Sequence, residues 1–81
     1  MTSRQARIGR LRWRGRRGMK ELDKLIARYL EQHLDKADED TVLALERLLD
    51  CQDTDLLDWL LGRSEPSDTQ LRDLVAKIRL T

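Results

Sequence analysis

The sequence predicts an all-α fold, a small five-helix bundle, in one domain over residues 1–81. Strand signals are nearly absent, because no stretch of β-branched or aromatic residues alternates with a period of two and the chain contains no phenylalanine. Leucine-rich stripes with helical spacing recur along the chain instead. The links between these stripes are short, so neighbouring helices must pack antiparallel or at a steep angle.

The first helix is predicted in the arginine-rich start of the chain. Ile8, Leu11 and Gly15 line one side of it. Gly9 and Gly15 weaken this helix, since each glycine costs about 1 kcal/mol relative to alanine in a helix interior. Gly18 marks the break before the second helix.

The second and third helices are predicted from two longer stripes. The second helix runs from about Met19 to His33, and its apolar face carries Leu22, Leu25, Ile26, Tyr29, Leu30 and His33. Asp38 is the expected N-cap of the third helix, which ends at Cys51 and Gln52. The apolar face of the third helix consists of Val42, Leu45, Leu48 and Leu49.

The fourth helix begins at Asp53 and closes at Gly62, where a left-handed residue commonly ends a helix. Its apolar side comprises Leu56, Leu57, Trp59, Leu60 and Leu61. Ahead of the fifth helix, Ser67 is expected to open a capping box that Gln70 completes by reaching back. The core face of the fifth helix contains Leu71, Leu74, Val75 and Ile78, and its last turn carries the cations Lys77 and Arg79.

Composition favours a cytosolic protein without a stable membrane insertion, and the exclusion of a transit peptide favours a bacterial cytoplasm. The single cysteine, Cys51, excludes an internal disulfide and favours a reducing compartment. No apolar run approaches the roughly 18–20 residues of a membrane span, and no signal-peptide core follows Met1. A mitochondrial transit peptide is rejected for the arginine-rich start, because its cleavage would remove residues of the motif described below.

Charge is distributed unevenly along the chain. Residues 1–20 hold eight bases and no acid, whereas residues 21–81 hold the other eight bases and all fifteen acids, so the two parts carry net charges of +8 and −7. Such asymmetry predicts either an electrostatic contact surface at the start of the chain or pairing between the two parts within the fold.

Groups that could support catalysis or bind a metal are scarce. His33 is the only histidine, and we expect it to pack or to complement the dipole of a helix end. Cys51 has no second cysteine nearby, which favours a buried, inert thiol. The acids that open the fourth helix lack the glycine and distal glutamate of a calcium loop; they are Asp53, Asp55 and Asp58. We therefore expect no enzyme activity, no metal and no cofactor of the protein's own.

The two tryptophans differ in what their surroundings predict. Trp59 shares a helix with leucines and is expected in the core. Trp13 lies among arginines, where it could pack on the rim of the core or contact a partner, and stacking on a guanidinium is a further option. Of these, core packing is the prediction that we favour.

The segment Arg17-Gly18-Met19-Lys20-Glu21 is the sharpest feature of the sequence. Gly18, between two helices, predicts either a positive φ or an approach too close for a Cβ. Arg17 and Glu21 would form only a weak local ion pair, because the cation precedes the acid. A displayed guanidinium, a bare backbone and a carboxylate within one turn instead favour a recognition surface.

These residues resemble the RGxxE motif of the succinate dehydrogenase FAD-assembly factors, with Arg17, Gly18 and Glu21 at the motif positions. The flanking RLRWRGRRGMKELD strengthens the likeness. A later stretch, LLDCQDTDLLDWL from residue 48 onward, is similar to a second well-marked region of that family. The resemblance covers about residues 7–78, although Tyr29 is the only aromatic residue in the second helix, where relatives often have more.

The resemblance implies a five-helix assembly factor that promotes covalent attachment of FAD to its partner. That partner would be the flavoprotein subunit of succinate dehydrogenase, of fumarate reductase, or of both, and the factor would act as a monomer that supplies no chemical group. Carried over by position, the main interface residues would be Arg17, Gly18 and Glu21. Secondary contacts would come from Trp13, Arg14, Arg16 and Met19.

Two other readings stay open at this point. Relatives have also been described as antitoxins, although nothing in these residues demands that role. A nucleic-acid-binding arm is the second alternative, because bases and a tryptophan are concentrated in the first twenty residues. The acidic remainder of the chain would repel phosphates, so we expect no nucleic acid among the partners.

Overall fold

The computed structural model describes residues 3–81, and within them it has five α-helices. Their bounds are Arg4–Arg14 (α1), Lys20–His33 (α2), Glu39–Leu49 (α3), Asp53–Leu60 (α4) and Thr69–Arg79 (α5), with a short 3₁₀ turn at Leu34–Lys36. Helix α5 packs on α2, α3 and α4, while α1 lies against α3. The predicted all-α, five-helix fold is confirmed. Within residues 3–81, no helix combines the length and apolar character needed to cross a membrane.

The core is built from the apolar faces predicted for the helices. Seventeen hydrophobic residues of the described range 3–81 are buried, and they include Leu22, Ile26, Leu45, Leu56, Leu71 and Ile78. Trp59 and Leu57 are half-buried against this cluster. Two stripe residues are exceptions, since Leu61 and His33 are exposed. Both lie at a helix end, since His33 is the last residue of α2 and Leu61 directly follows the last residue of α4.

Side-chain caps fix where several helices begin. The Ser3 hydroxyl accepts from the N–H of Ala6 at 3.2 Å, and Asp38 accepts from the N–H of Thr41 at 2.8 Å. The Asp38 cap is therefore confirmed. Each cap provides a partner for a backbone N–H that the first turn of a helix leaves free.

The predicted capping box before α5 is wrong by one residue. Asp68, and not Ser67, is the N-cap, and its carboxylate accepts from the N–H of Leu71 at 3.1 Å. Gln70 does not reach back, because its side-chain oxygen accepts from Arg47. Arg47 also binds Asp68, and this hydrogen bond holds the pKa of the Asp68 carboxyl below its ordinary value.

Much of the charge asymmetry is neutralised inside the molecule. Four of the eight bases in residues 1–20 pair with acids of the later chain: Arg7 with Glu39 and Glu46, Arg12 with Asp35, Arg14 with Asp50, and Arg17 with Asp53. Helix α1 is thereby held on the acidic face that α3 and its flanking turns present. Of the two explanations for the asymmetry, internal pairing accounts for half of the basic residues.

Candidate partner-binding site at the turn between α1 and α2

The turn between α1 and α2, which we call the RG turn, comprises residues 15–19. Gly18 has a φ of +79°, in the left-handed region that favours glycine. A Cβ built on Gly18 would meet no atom within 4 Å, so the required φ, and not crowding, explains this glycine. At Gly15, crowding and not φ explains the glycine, because an added Cβ would lie 2.9 Å from Cγ2 of Ile26. Gly15 therefore lets the end of α1 approach α2 closely.

Asp23 fixes the backbone of the RG turn from the first turns of α2. One oxygen of its carboxylate accepts from the N–H of Arg17 at 2.7 Å, and the other accepts from the N–H of Gly18 at 3.0 Å. Hydrogen bonds to an ionised carboxylate are stronger than those between neutral groups. Two consecutive N–H groups of the turn are therefore tied to the helix that follows it.

The Arg17 side chain points inward, and the predicted surface display of its guanidinium is wrong. Only 15% of the side chain is exposed. Nη2 donates to the carbonyl oxygen of Cys51 at 2.8 Å, and Nη1 donates to that of Arg14 at 3.2 Å. Nε lies 2.8 Å from Oδ1 of Asp53, although its N–H is not aligned for a hydrogen bond.

This arrangement makes Arg17 a clamp between two connections of the fold. Cys51 lies in the link between α3 and α4, and Asp53 is the first residue of α4; both are more than thirty positions beyond Arg17 in the sequence. A guanidinium has five donors in a planar fork, so one side chain can donate to two carbonyl groups while its charge pairs with a carboxylate. Sequence reasoning missed this clamp, because neither partner belongs to the local motif.

The Cys51 thiol is half-buried beside the clamp. Burial raises its pKa above the ordinary value, and the carboxylates of Asp55 and Asp50 act in the same direction. The thiol therefore stays protonated at neutral pH, which makes it a poor nucleophile. The predicted inert thiol agrees with this shift, although Cys51 is less buried than expected.

The outer surface of the RG turn is formed by other side chains. Gly18 and Glu21 are exposed, and within residues 3–81 no ion pair is found for Glu21. Its carboxylate lies in the first turn of α2, where the positive end of the helix dipole favours an acid. Met19 is half-buried against the core, and Arg14 is paired with Asp50. Among the motif residues, Gly18 and Glu21 are thus the most accessible to a partner.

Trp13 stands out from the surface near this turn. Its exposed fraction is 71%, so the favoured prediction of core packing is wrong. The last turn of α1 directs the ring away from the stripe that contains Leu11. The guanidinium carbon of Arg16 lies 5.9 Å from the ring centroid, within the range of a cation–π contact. Tryptophan is enriched among the residues that dominate binding energy at protein interfaces, so this exposed ring is a candidate contact.

The other candidate groups do not assemble into a site. The His33 ring lies 4.8 Å from that of Tyr29, at the dipole-complementing end of α2. Asp53 forms an ion pair with Arg17, and the Asp58 carboxylate lies 3.6 Å from the guanidinium of Arg63. Across the described part of the chain, no group of three or more His, Cys, Asp or Glu side chains could hold a metal ion.

Comparison with known proteins assigns the chain to a family. The family described as "Flavinator of succinate dehydrogenase" matches residues 9–81. The chain is 48% identical over 71 residues to the FAD assembly factor SdhE of Methylococcus capsulatus, a match that covers 88% of this chain and 86% of that protein. It is 40% identical over 70 residues to the protein of the same name from Yersinia pseudotuberculosis, covering 86% and 80%. The corresponding protein of Pseudomonas aeruginosa is 35% identical over 74 residues, covering 91% and 88%. The chain belongs to the family of succinate dehydrogenase flavinators, as the resemblance of its sequence predicted.

Proposed function

We propose that this protein binds the flavoprotein subunit of succinate dehydrogenase through the RG turn and promotes covalent attachment of FAD to that subunit. The observation that carries the proposal is a bare, exposed glycine backbone beside the free carboxylate of Glu21, on a turn that Asp23 holds in one conformation. The flavoprotein subunit of fumarate reductase is a second client in this proposal, because of the resemblance of the sequence.

The site residues have different parts in the proposed interface. Gly18 and Glu21 contact the partner directly, and the exposed Trp13 and Arg16 extend the contact along the end of α1. Arg17 acts as a positioning residue through its hydrogen bond to the Cys51 carbonyl and its ion pair with Asp53. Met19 stabilises the turn by packing against the core, and Arg14 stabilises it through an ion pair with Asp50. An interface of this kind needs a central aromatic or charged anchor and a preorganised backbone.

The protein acts by holding its partner in a productive geometry and supplies no catalytic group of its own. Fixing two reacting groups at the right distance removes a large entropic part of a barrier. The family name supports a role in flavin assembly on the dehydrogenase. The lone half-buried thiol and the exposed histidine have no partner arrangement that would make them catalytic groups. The family description implies that FAD is the partner's cofactor, and in this proposal the factor works as a monomer in the bacterial cytoplasm.

A nucleic-acid-binding role has less support. Half of the bases in residues 1–20 are occupied by internal acids, which removes them from a phosphate-binding surface. The acids that hold them also lie close to the same surface and would repel phosphate groups.

The proposal is tested by measuring flavin attached to the flavoprotein subunit, as in-gel fluorescence, in cells that lack the endogenous factor. Gly18→Arg and Glu21→Ala should keep the helical circular-dichroism spectrum and lose most of the flavin signal. Asp40→Ala is the matched control, since Asp40 is also an exposed acid in the first turn of a helix. Full flavin attachment with both RG-turn variants would refute the site assignment.

A further inference from the structure

An open groove runs along the outer side of α2, next to the RG turn. It encloses about 700 Å³ between the end of α1 and the first three turns of α2. Its floor is formed by Gly15, Ala27 and Leu30, and its rim carries the cations Arg12, Arg16, Lys20 and Lys24. None of the predicted interface residues except Gly18 and Arg16 lies in it.

The groove follows one face of α2. Lys20, Lys24, Ala27 and Glu31 are spaced four, three and four residues apart, which places them on a single stripe of a helix. At a rise of about 1.5 Å per residue, this stripe is roughly 16 Å long. The surface of α2 is lowest at Ala27, where a methyl group takes the place of a longer side chain. The stripe therefore has room for a short segment of another chain, with one small apolar side chain against Ala27.

The charge of the groove is positive. Within residues 3–81, no ion pair is found for Arg16, Lys20 or Lys24. Arg12 forms an ion pair with Asp35, with 3.2 Å between Nη2 and Oδ1. The carboxylate of Asp23 also lines the groove, but both of its oxygens already accept from the RG turn. Glu31, at the far end, is the remaining acid. Free cations beside an apolar floor are complementary to an acidic segment.

We propose that this groove binds an acidic segment of the flavoprotein partner, with carboxylates against Lys20 and Lys24 and a small apolar side chain on Ala27. The inference rests on the proposed function, since it takes the same partner and adds a second contact beside the RG turn. One partner would then be held at two places on α2, and the rotation of the factor about a single contact would be restricted.

The first test compares two charge reversals by isothermal titration of the factor with the purified flavoprotein subunit. Lys24→Glu should weaken binding by about fivefold or more, in line with the loss and reversal of one interfacial charge. The fold is not threatened, because a glutamate at this position precedes Arg28 by four residues, a favourable order for a helical ion pair. Lys36→Glu is the matched control, with the same change in net charge on an exposed residue outside the groove.

The second test identifies the contact directly. A zero-length carbodiimide joins a lysine amine to a carboxylate only where the two touch, so it should link Lys24 or Lys20 to an aspartate or glutamate of the subunit, as read by mass spectrometry. In the Lys24→Glu variant the Lys24 product disappears. Links confined to Lys36 or Lys77 would overturn the proposal.

The outcomes separate the groove from the proposed function. If the wild-type factor does not bind the subunit, the proposed function fails. If it binds, and both charge reversals bind equally well, the groove proposal fails and the RG turn remains. Loss of self-association by Lys24→Glu, or loss of oligonucleotide binding with unchanged affinity for the subunit, would assign the groove to another occupant and overturn the proposal.

Discussion

Replacement of Asp23 tests whether the RG turn depends on a prebuilt backbone. Asp23→Ala removes the carboxylate that accepts from the N–H groups of Arg17 and Gly18 at 2.7 and 3.0 Å. Hydrogen bonds to charged groups contribute about 1.5–3 kcal/mol each when buried. Because this carboxylate is only half-buried and water can replace part of the loss, we expect a total loss of roughly 2 kcal/mol.

The assay is thermal unfolding followed by circular dichroism, together with flavin attachment measured below every melting temperature. For a domain of this size, about 2 kcal/mol corresponds to a fall in Tm of roughly 8–16 °C. Asp23→Asn keeps one acceptor oxygen and should lose about half as much. Flavin attachment should fall in both variants, because the glycine backbone is no longer held in the geometry that the partner meets.

The control for this experiment is Asp73→Ala, which removes an exposed acid of α5 and should change stability by less than about 0.5 kcal/mol. The reasoning would be refuted if Asp23→Ala melted at the same temperature as Asp73→Ala and supported full flavin attachment. A normal melting temperature with lost attachment would instead make Asp23 a direct contact.

Other substitutions test the helix faces and the surface. Gly9→Ala should stabilise the protein by up to about 1 kcal/mol, because the added Cβ would meet no atom within 4 Å. Gly15→Ala should destabilise it by about 1–3 kcal/mol, because the added Cβ would lie 2.9 Å from the stiff, β-branched side chain of Ile26. Urea unfolding measures both changes. Leu45→Asp should unfold the domain, since it places an unpaired charge in the core, and a native circular-dichroism melt would show that the assigned face is wrong. Trp13→Ala should leave stability within about 0.5 kcal/mol and weaken binding to the flavoprotein subunit, so equal affinity by titration would exclude this side chain from the interface. Cys51 should react with iodoacetamide more slowly in the folded protein than in urea at mildly alkaline pH, because burial raises the pKa of its thiol and lowers the thiolate fraction; equal rates would contradict this.

The helices could be predicted because their signals are local. Stripes such as the one through Leu22, Ile26 and Tyr29 repeat with the period of the helix, so the residues that share a face are fixed before any tertiary contact forms. The same reasoning located Asp38 as a cap, since a cap acts on an N–H three residues away. It failed at Ser67, because the next residue, Asp68, caps α5 instead, and the Gln70 side chain is bound by Arg47 of a different helix.

The direction of single side chains at the site could not be predicted from local spacing. Trp13 was expected to pack on the rim of the core, but the short helix α1 has one buried stripe, and Leu11 occupies it. Whether Arg17 faces water or the interior depends on Asp53 and on the carbonyl of Cys51, which only the packing of α4 brings near. The net charge of each segment was equally ambiguous. A contact surface for a partner and internal ion pairing are both compatible with the same distribution of charge along the sequence.

The inward direction of Arg17 changes what the RGxxE spacing means. The arginine ties the turn to the link between α3 and α4, the glycine provides the positive φ, and the glutamate is the residue that reaches solvent. The spacing of the motif therefore specifies the conformation of a turn, and it does not require all three residues to contact the partner. A partner that docks there meets a rigid backbone and one carboxylate, at a low entropic cost because the turn is already ordered. Loss of function on replacing Arg17 would accordingly reflect a displaced glycine and glutamate, even though the guanidinium itself need not touch the partner.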